Sequence, residues 1–411
     1  MFLGDQYDIG VFFGSGYAVS RGLAPYGMFP IRLIFENPNL FEELPGIGYP
    51  PPWGLYLGLA YLAIYNPTKN LFAYNLAIKL PSIISNIALA FLIEKMAVQE
   101  GADTKTGNKI FYFLLFNPLM IYISAVWGQF DALVALITMA SANDLSHGKI
   151  KRSAILLALS ASLKIIPLVL GPLFLLFIKR NHDRIKILEF VFLSFIALAL
   201  FAFLPFWVFN WDMNLIQTNS DYHFLRAGCF SLFNLNELLF NTNSLPAGWE
   251  FLGYVWIPSL ALGYYALTRT RLETRMDLFR WASSLLFVLM LTRSWVSEQN
   301  IVLFFPLLLI YSVVDLKNWI FPQLTWINTL VFSFLHGSPF QMFFLLSPVP
   351  YSLLASFDRI HRTARFVLRF VAVIPWYVLG LSYVKRTFHN RRPQFTPRSV
   401  SVLIDRKPMK T

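Results

Sequence analysis

A few polar residues interrupt a chain that is otherwise apolar. Trp127-Gly128-Gln129-Phe130-Asp131 stands inside the run 117–142. Asp5 and Asp8 lie near the start, and Tyr49-Pro50-Pro51-Pro52 follows. Lys79 precedes Pro81, Lys164 precedes Pro167, and Arg293 comes shortly before Glu298 and Gln299. Carboxylates in such places suit general-base work on a hydroxyl, whose own pKa lies far above neutrality. Lysine and arginine suit the opposite end of the same reaction, where charge grows on a departing anion. Ionisable groups in or beside membrane spans are costly and point to function by default. Each group also has a plainer reading. Asp8 is then a helix cap or a solvated charge, and Asp131 caps a helix that starts at Ala132. Lys164 snorkels to the interface, Arg293 pairs with Glu298, and Tyr49–Pro52 is a rigid turn. The chemical reading rests on the convergence of all these groups on one membrane face.

Composition explains why they stand out. Of 411 residues 56% are hydrophobic, 17% aromatic and only 14% charged, against about 25% charged in soluble domains. That is an all-α integral membrane protein, long enough for about 11–13 membrane helices if some are short. The net charge of +12 does not imply nucleic acid. Its basic residues gather in short loops, such as Lys149, Lys151 and Arg152, or Arg269, Arg271 and Arg275. This is the positive-inside pattern of cytoplasmic loops. Cys229 is the single cysteine, so no intrachain disulfide or zinc cluster is expected. No histidine or acidic cluster has metal-ligand spacing either.

The basic loops set a topology. With 98–109, 145–152 and 179–186 on the cytoplasmic side, the runs 109–145 and 153–178 must be hairpins. They turn outside, at Trp127–Asp131 and near Lys164 and Pro167. Pro81 suits the start of a span that runs to about residue 97. Residues 1–79 then form an extracytoplasmic first loop with short interfacial helices at 8–20, 52–65 and 71–78. Residues 80–384 form the transmembrane helical domain, with a large outer loop at 209–252, and 385–411 form a basic C-terminal tail. Segments 319–335 and 339–355 read as a hairpin ahead of a last span at 366–384. Counting all of them puts the basic tail outside, against the charge rule, so one late segment is not a full span. The chain shows no internal repeat, which disfavours the alternative of a lipid flippase or transporter.

Carboxylates and cations beside membrane spans suit sugar transfer from a lipid phosphate, and the order of the motifs resembles a family that does this. Asp8-Ile9-Gly10-Val11-Phe12-Phe13, then Gly22-Leu23-Ala24-Pro25-Tyr26, is similar to the first outer loop of GT-C glycosyltransferases that use polyprenyl-phosphate sugars. Tyr49-Pro50-Pro51 resembles the Tyr-Pro-Pro of that loop, and Lys79 through Asn86 resembles the opening of the second span. Asn117-Pro118 with Trp127-Gly128-Gln129-Phe130-Asp131 resembles the Asn-Pro and Trp-Gly-Gln-x-Asp segment of prokaryotic relatives of the second GPI mannosyltransferase. The dolichyl-phosphate-glucose glucosyltransferases carry a cognate Gly-x-x-Gln. Lys164-Ile165-Ile166-Pro167 loosely matches a Lys-x-x-x-Pro turn. Ser297-Glu298-Gln299-Asn300 occupies the place of a His-Glu-Lys or His-Glu-Arg motif.

The resemblance implies a polytopic GT-C fold and inverting transfer of a hexose, mannose before glucose. The donor would be a polyprenyl- or dolichyl-phosphate sugar, and the acceptor a lipid-linked glycan or glycolipid. The reaction would run on the extracytoplasmic face of the cell membrane, with no metal or other cofactor. Asp8 would be the catalytic base, with Asp5 second. Tyr49, Lys79, Trp127, Gln129, Asp131, Lys164, Arg293, Glu298 and Gln299 would bind substrate. The chain departs from the pattern at Asn86, often Asp in relatives, at Ser297, which replaces the histidine, and at Gln299, which replaces the basic residue. Phosphate recognition then falls to Arg293, Lys164 or Lys79. The family's first helix would precede Asp8.

Overall fold

The computed structural model describes residues 3–30, 43–214, 226–240, 242–336, 342–343, 345 and 351–389. Local side chains set where the helices begin. Asp5 accepts the Asp8 amide at 2.9 Å and caps α1, Gln6–Ser20. Prolines open α2, Pro51–Ala60, as they do at first turns. Asn70 caps α3, Leu71–Gln99, and Asp103 caps α4, Thr104–Leu115, whose line continues to Trp127. Then come α5, Asp131–Ser146, α6, Ile150–Leu163, α7, Gly171–Asn181, and α8, Arg184–Leu198. After the short α9, Asn234–Phe240, follow α10, Trp256–Thr268, and α11, Arg275–Thr292. The last three are α12, Ile301–Ile310, α13, Ile320–His336, and α14, Tyr351–His389. Two short strand pairs complete the described residues. β1, Met28–Pro30, runs antiparallel to β2, Glu43–Pro45, and β3, Gly228–Cys229, runs parallel to β4, Trp295–Val296.

The chain is an all-α, polytopic integral membrane protein. Among the described residues six helices are long and apolar enough to cross a membrane. The others include the α6–α7 hairpin, whose helices have 14 and 11 residues, and α11, whose 18 residues carry Arg275, Asp277 and Arg280. Glu298–Asp315 is the axis of the packing, with 94% of its apolar window buried, against 11% for Arg184–Val208. Hydroxyls join α5 to α6, where Thr138 Oγ1 meets Ser160 Oγ at 2.7 Å and Ser141 Oγ donates to the Ser153 carbonyl at 2.7 Å. Such short polar side chains let apolar helices approach closely.

Two helices differ from the sequence expectation. A span does not begin at Pro81: α3 starts at Leu71 and runs through the proline, so 71–78 is not a separate helix and the 79/80 boundary falls inside one element. A proline leaves the carbonyl four residues earlier without its helical donor. Here that carbonyl belongs to Ala77, and the Tyr56 hydroxyl of α2 donates to it at 2.7 Å. The late hairpin also gives way. Residues 351–355 belong to α14, which includes 366–384 and ends at His389, while most of 339–350 and all of 390–411 lie outside the described residues.

Contacts define two ends of the bundle. Arg275 pairs with Glu100 at 3.0 Å and donates to Asn143 Oδ1 at 3.1 Å. Arg180 donates to the Thr268 carbonyl at 3.0 Å, and Asn181 to that of Leu272 at 3.1 Å. The basic turns thus meet at one end. α14 runs back toward that end, with the Phe388 ring 5.0 Å from that of Trp281 in the second turn of α11. The last described residues therefore share an end with the basic loops, as the charge rule asks. The turns at 127–131 and 163–171 lie at the other end, one helix length away.

Candidate active site

That second end gathers the polar residues read from the sequence. The helix line of α4 stops at Gly128, which adopts φ +96°, and the Gly128 and Gln129 amides close back on the Ile123 carbonyl at 3.1 and 2.9 Å. Glycine is required twice over. The left-handed backbone penalises a side chain, and a Cβ would stand 2.8 Å from Lys79 Cε. The turn points two donors at α1: the Trp127 indole and the Gln129 amide both donate to Asp8 Oδ2, the latter at 2.8 Å. Asp8 Oδ1 carries no hydrogen bond among the described residues.

Burial pushes the Asp8 carboxyl above the usual carboxylate range. The bonds from Trp127 and Gln129 and the charge of Lys164 pull it back, while Glu298 adds to the rise. Asp5 is buried, and burial with the nearby Asp8 charge lifts it to about 7. Its Oδ1 is committed to the α1 cap, so Asp8 offers the freer oxygen.

The cations divide into two kinds. Lys79 is fully buried and donates to the carbonyls of Leu3 and, at 3.0 Å, Val126. It ties the N-terminal segment to the Trp127 turn, and so is not a free phosphate ligand. Lys164 does not snorkel either: its Nζ lies 2.6 Å from Asp131 Oδ1, with both side chains buried, and it faces the ring of Tyr49 at 5.5 Å. Asp131 is therefore not the cap of its helix. It occupies the first turn of α5, the cap position falls on Phe130 without a side-chain bond, and the carboxylate is spent on Lys164. The side chain of Arg293, half-buried, makes no ion pair or hydrogen bond among the described residues, and it acts on Lys164 through its charge, as does Asp8. It does not pair with Glu298, which binds His336 instead, Nδ1 to Oε1 at 2.6 Å.

Aromatic rings form a wall beside these groups. Phe130 stacks on Trp53 at 4.2 Å and meets Tyr49 edge-on at 4.9 Å. Gln299 Nε2 donates to the Tyr49 hydroxyl at 3.4 Å. Gln129 Oε1, Asp131 Oδ2 and Gln299 Oε1 are among the buried acceptors at this end that have no hydrogen-bond partner among the described residues. Buried polar atoms in native proteins are almost always satisfied, by protein or by ordered water, so these three can accept from water or from a bound hydroxyl.

Residues 49–294, more than half of the chain, match glycosyltransferase family 87. The chain belongs to glycosyltransferase family 87. It is thus a membrane glycosyltransferase, and its match to family 87 takes in Tyr49, Lys79, the Trp127–Asp131 turn, Lys164 and Arg293. Asp8 and Glu298 flank the matched region. No curated protein matches the chain. The match is to family 87 as a whole, and not to either of the narrower groups whose motifs the sequence resembles.

In this family 87 chain the Lys164–Asp131 pair has a separable structural effect. Lys164→Met strands a buried carboxylate, which costs roughly 3–5 kcal/mol. Adding Asp131→Leu removes the stranded charge, so the double variant should recover most of that loss in thermal unfolding of the purified protein. A single variant as stable as wild type would mean that the pair is not buried as described.

Sequence reasoning missed three contributors. His336 closes α13 and stands beside Glu298. Cys229 sits 3.5 Å from Glu298 Oε2 and 3.6 Å from His336 Nδ1. Arg369 holds Glu237 at 2.6 Å beneath them. No local spacing signals these contacts, because each joins segments far apart in the chain.

Proposed function

We propose that this chain moves a hexose from a polyprenyl- or dolichyl-phosphate donor to a hydroxyl of a lipid-linked glycan or glycolipid, with inversion. Mannose is the first candidate and glucose the second, on the motif resemblance alone. Asp8 Oδ1 takes the proton of the acceptor hydroxyl as its oxygen attacks the anomeric carbon. The bond from that carbon to the phosphate oxygen breaks, and the lipid phosphate leaves with the electron pair. Arg293 holds the departing phosphate, since among the described residues its guanidinium has no ion pair, while Lys164 is bound to Asp131 and Lys79 to the Leu3 and Val126 carbonyls. Sugar hydroxyls satisfy Gln129 Oε1, Asp131 Oδ2 and Gln299 Oε1, and the half-buried Tyr49, backed by the buried Phe130, borders the sugar ring.

The observation that carries this reading is the grip of Trp127 and Gln129 on Asp8. A carboxylate held by two donors on one oxygen and open on the other is oriented for proton abstraction. The site lies at the end opposite the basic loops, which supports an extracytoplasmic reaction. Residues 3–79 contribute Asp8 and Tyr49 to it, in keeping with an outer first loop.

The test is transfer by the protein in lipid nanodiscs, offered polyprenyl-phosphate mannose or glucose with a glycolipid acceptor, with products read by mass spectrometry and anomeric NMR. One added hexose of inverted configuration is expected. Retention of configuration, or transfer from a sugar nucleotide and not from either lipid donor, would overturn the proposal.

A further inference from the structure

Cys229, Glu298 and His336 converge from three separate segments at the site end of the bundle. The ligand atoms Cys229 Sγ, a Glu298 carboxylate oxygen and His336 Nδ1 all lie within 4.8 Å of one another. We propose that these three side chains bind a zinc-class divalent ion, with a fourth coordination position left to water or substrate. This rests on the cluster's own geometry and not on the transferase reading.

The distances fit. Zinc bonds of about 2.3 Å to sulfur and about 2.0–2.2 Å to nitrogen or oxygen, at tetrahedral angles, set ligand atoms about 3.4–3.6 Å apart. The sulfur already stands at 3.5 Å from Glu298 Oε2 and 3.6 Å from His336 Nδ1. The contacts to Glu298 use both of its oxygens, Oε2 toward Cys229 and Oε1 toward His336, so a carboxylate that binds through one oxygen turns about its own axis while the 2.6 Å hydrogen bond to His336 opens. The ion then replaces one hydrogen bond with two metal bonds. A thiolate, an imidazole and a carboxylate together favour zinc over the hard cations magnesium and calcium. Three protein ligands with one open position are the pattern of reactive zinc sites. On uptake the Cys229 thiol proton, and the Nδ1 proton if present, pass to solvent.

The scaffold is built to aim the sulfur. Cys229 adopts φ +56°, a left-handed backbone that costs a side-chain-bearing residue about 1–2 kcal/mol. The parallel β3–β4 pairing holds it there, and its amide donates to Glu237 Oε1 at 3.1 Å. Arg369 fixes the other Glu237 oxygen. A thiol is only a weak hydrogen-bond donor, so its two polar contacts do not account for a strained backbone braced by a buried ion pair. Glu298 acts electrostatically on Asp8, so an ion here would add positive charge beside the transferase site.

The experiment uses full-length protein in nanodiscs, purified through a histidine-free tag, stripped with chelator and re-equilibrated with zinc or cobalt. One zinc per chain by elemental analysis is expected, and cobalt should give a thiolate-to-metal charge-transfer band in the near ultraviolet. Cys229→Ser should abolish that band. His336→Ala should weaken zinc binding by more than about 100-fold, since losing a ligand exceeds the 10–100-fold effect of losing an outer-shell partner. Asp8→Asn should keep the full zinc content, which separates this site from the transferase reading. Absence of stoichiometric zinc in the wild-type chain overturns the proposal, as does equal uptake by Cys229→Ser and His336→Ala.

Discussion

Asp8→Asn is expected to lower the turnover of sugar transfer by about 10²–10⁴-fold, the usual contribution of a general base, with little change in stability. Asparagine keeps the size of the side chain, and its Oδ1 can accept the donors that hold Asp8, the Trp127 indole and the Gln129 amide. It cannot take a proton from the acceptor. Asp5→Asn provides the contrast. Asparagine caps helices about as well as aspartate, so the start of α1 survives and activity should stay within a few-fold of wild type. Wild-type turnover by Asp8→Asn would remove Asp8 as the base, and a collapse confined to Asp5→Asn would transfer the role to Asp5. The pH profile gives a second handle. Only the ionised Asp8 accepts a proton, and burial raises its pKa. Activity should be present above that raised value and lost as the pH falls through it, so the acid limb lies above the ordinary carboxylate range. The Gln129 bond favours the ionised form. Gln129→Leu should therefore move the acid limb to higher pH, while a limb that stays in place would argue against Asp8.

Arg293→Ala should lower kcat/KM for the lipid-phosphate donor by about 10²–10³-fold, the loss seen when one preorganised donor to developing charge is removed. The comparison with Lys164 makes the result diagnostic. Lys164 is bound to Asp131, so removing it strands a charge and unfolds the protein more easily. Arg293 has no ion pair among the described residues, so its removal strands nothing and should leave thermal stability unchanged. Arg293→Lys should restore part of the activity, because an ammonium keeps the charge but lacks the planar, two-pronged donor geometry that fits a phosphate. An Arg293→Ala enzyme with wild-type donor kinetics would exclude phosphate binding at this residue. One that loses activity and stability together would make it a structural cation.

The membrane class, the helical hairpins and the polar end of the bundle were legible in the sequence because their causes are local or compositional. Low charge with long apolar runs leaves no soluble alternative. Basic loops at both ends of 109–145 and 153–178 require a turn within each run, and Gly128 and Pro167 show where. Pairings were not legible. Arg293 with Glu298 and Asp131 as a cap are sensible short-range choices, yet Glu298 takes His336 and Asp131 takes Lys164, 33 residues away. Pro81 reads as a helix start until Tyr56, from another helix, supplies the missing donor to Ala77. Cys229 excludes a disulfide from sequence, but only the fold places it against a carboxylate and an imidazole. Helices that are apolar all round carry a weak facing signal. The sequence by itself therefore determined the class of protein, its hairpins and which residues were available for chemistry. Tertiary packing alone decided which buried charges neutralise one another, and so which remain free to meet a substrate.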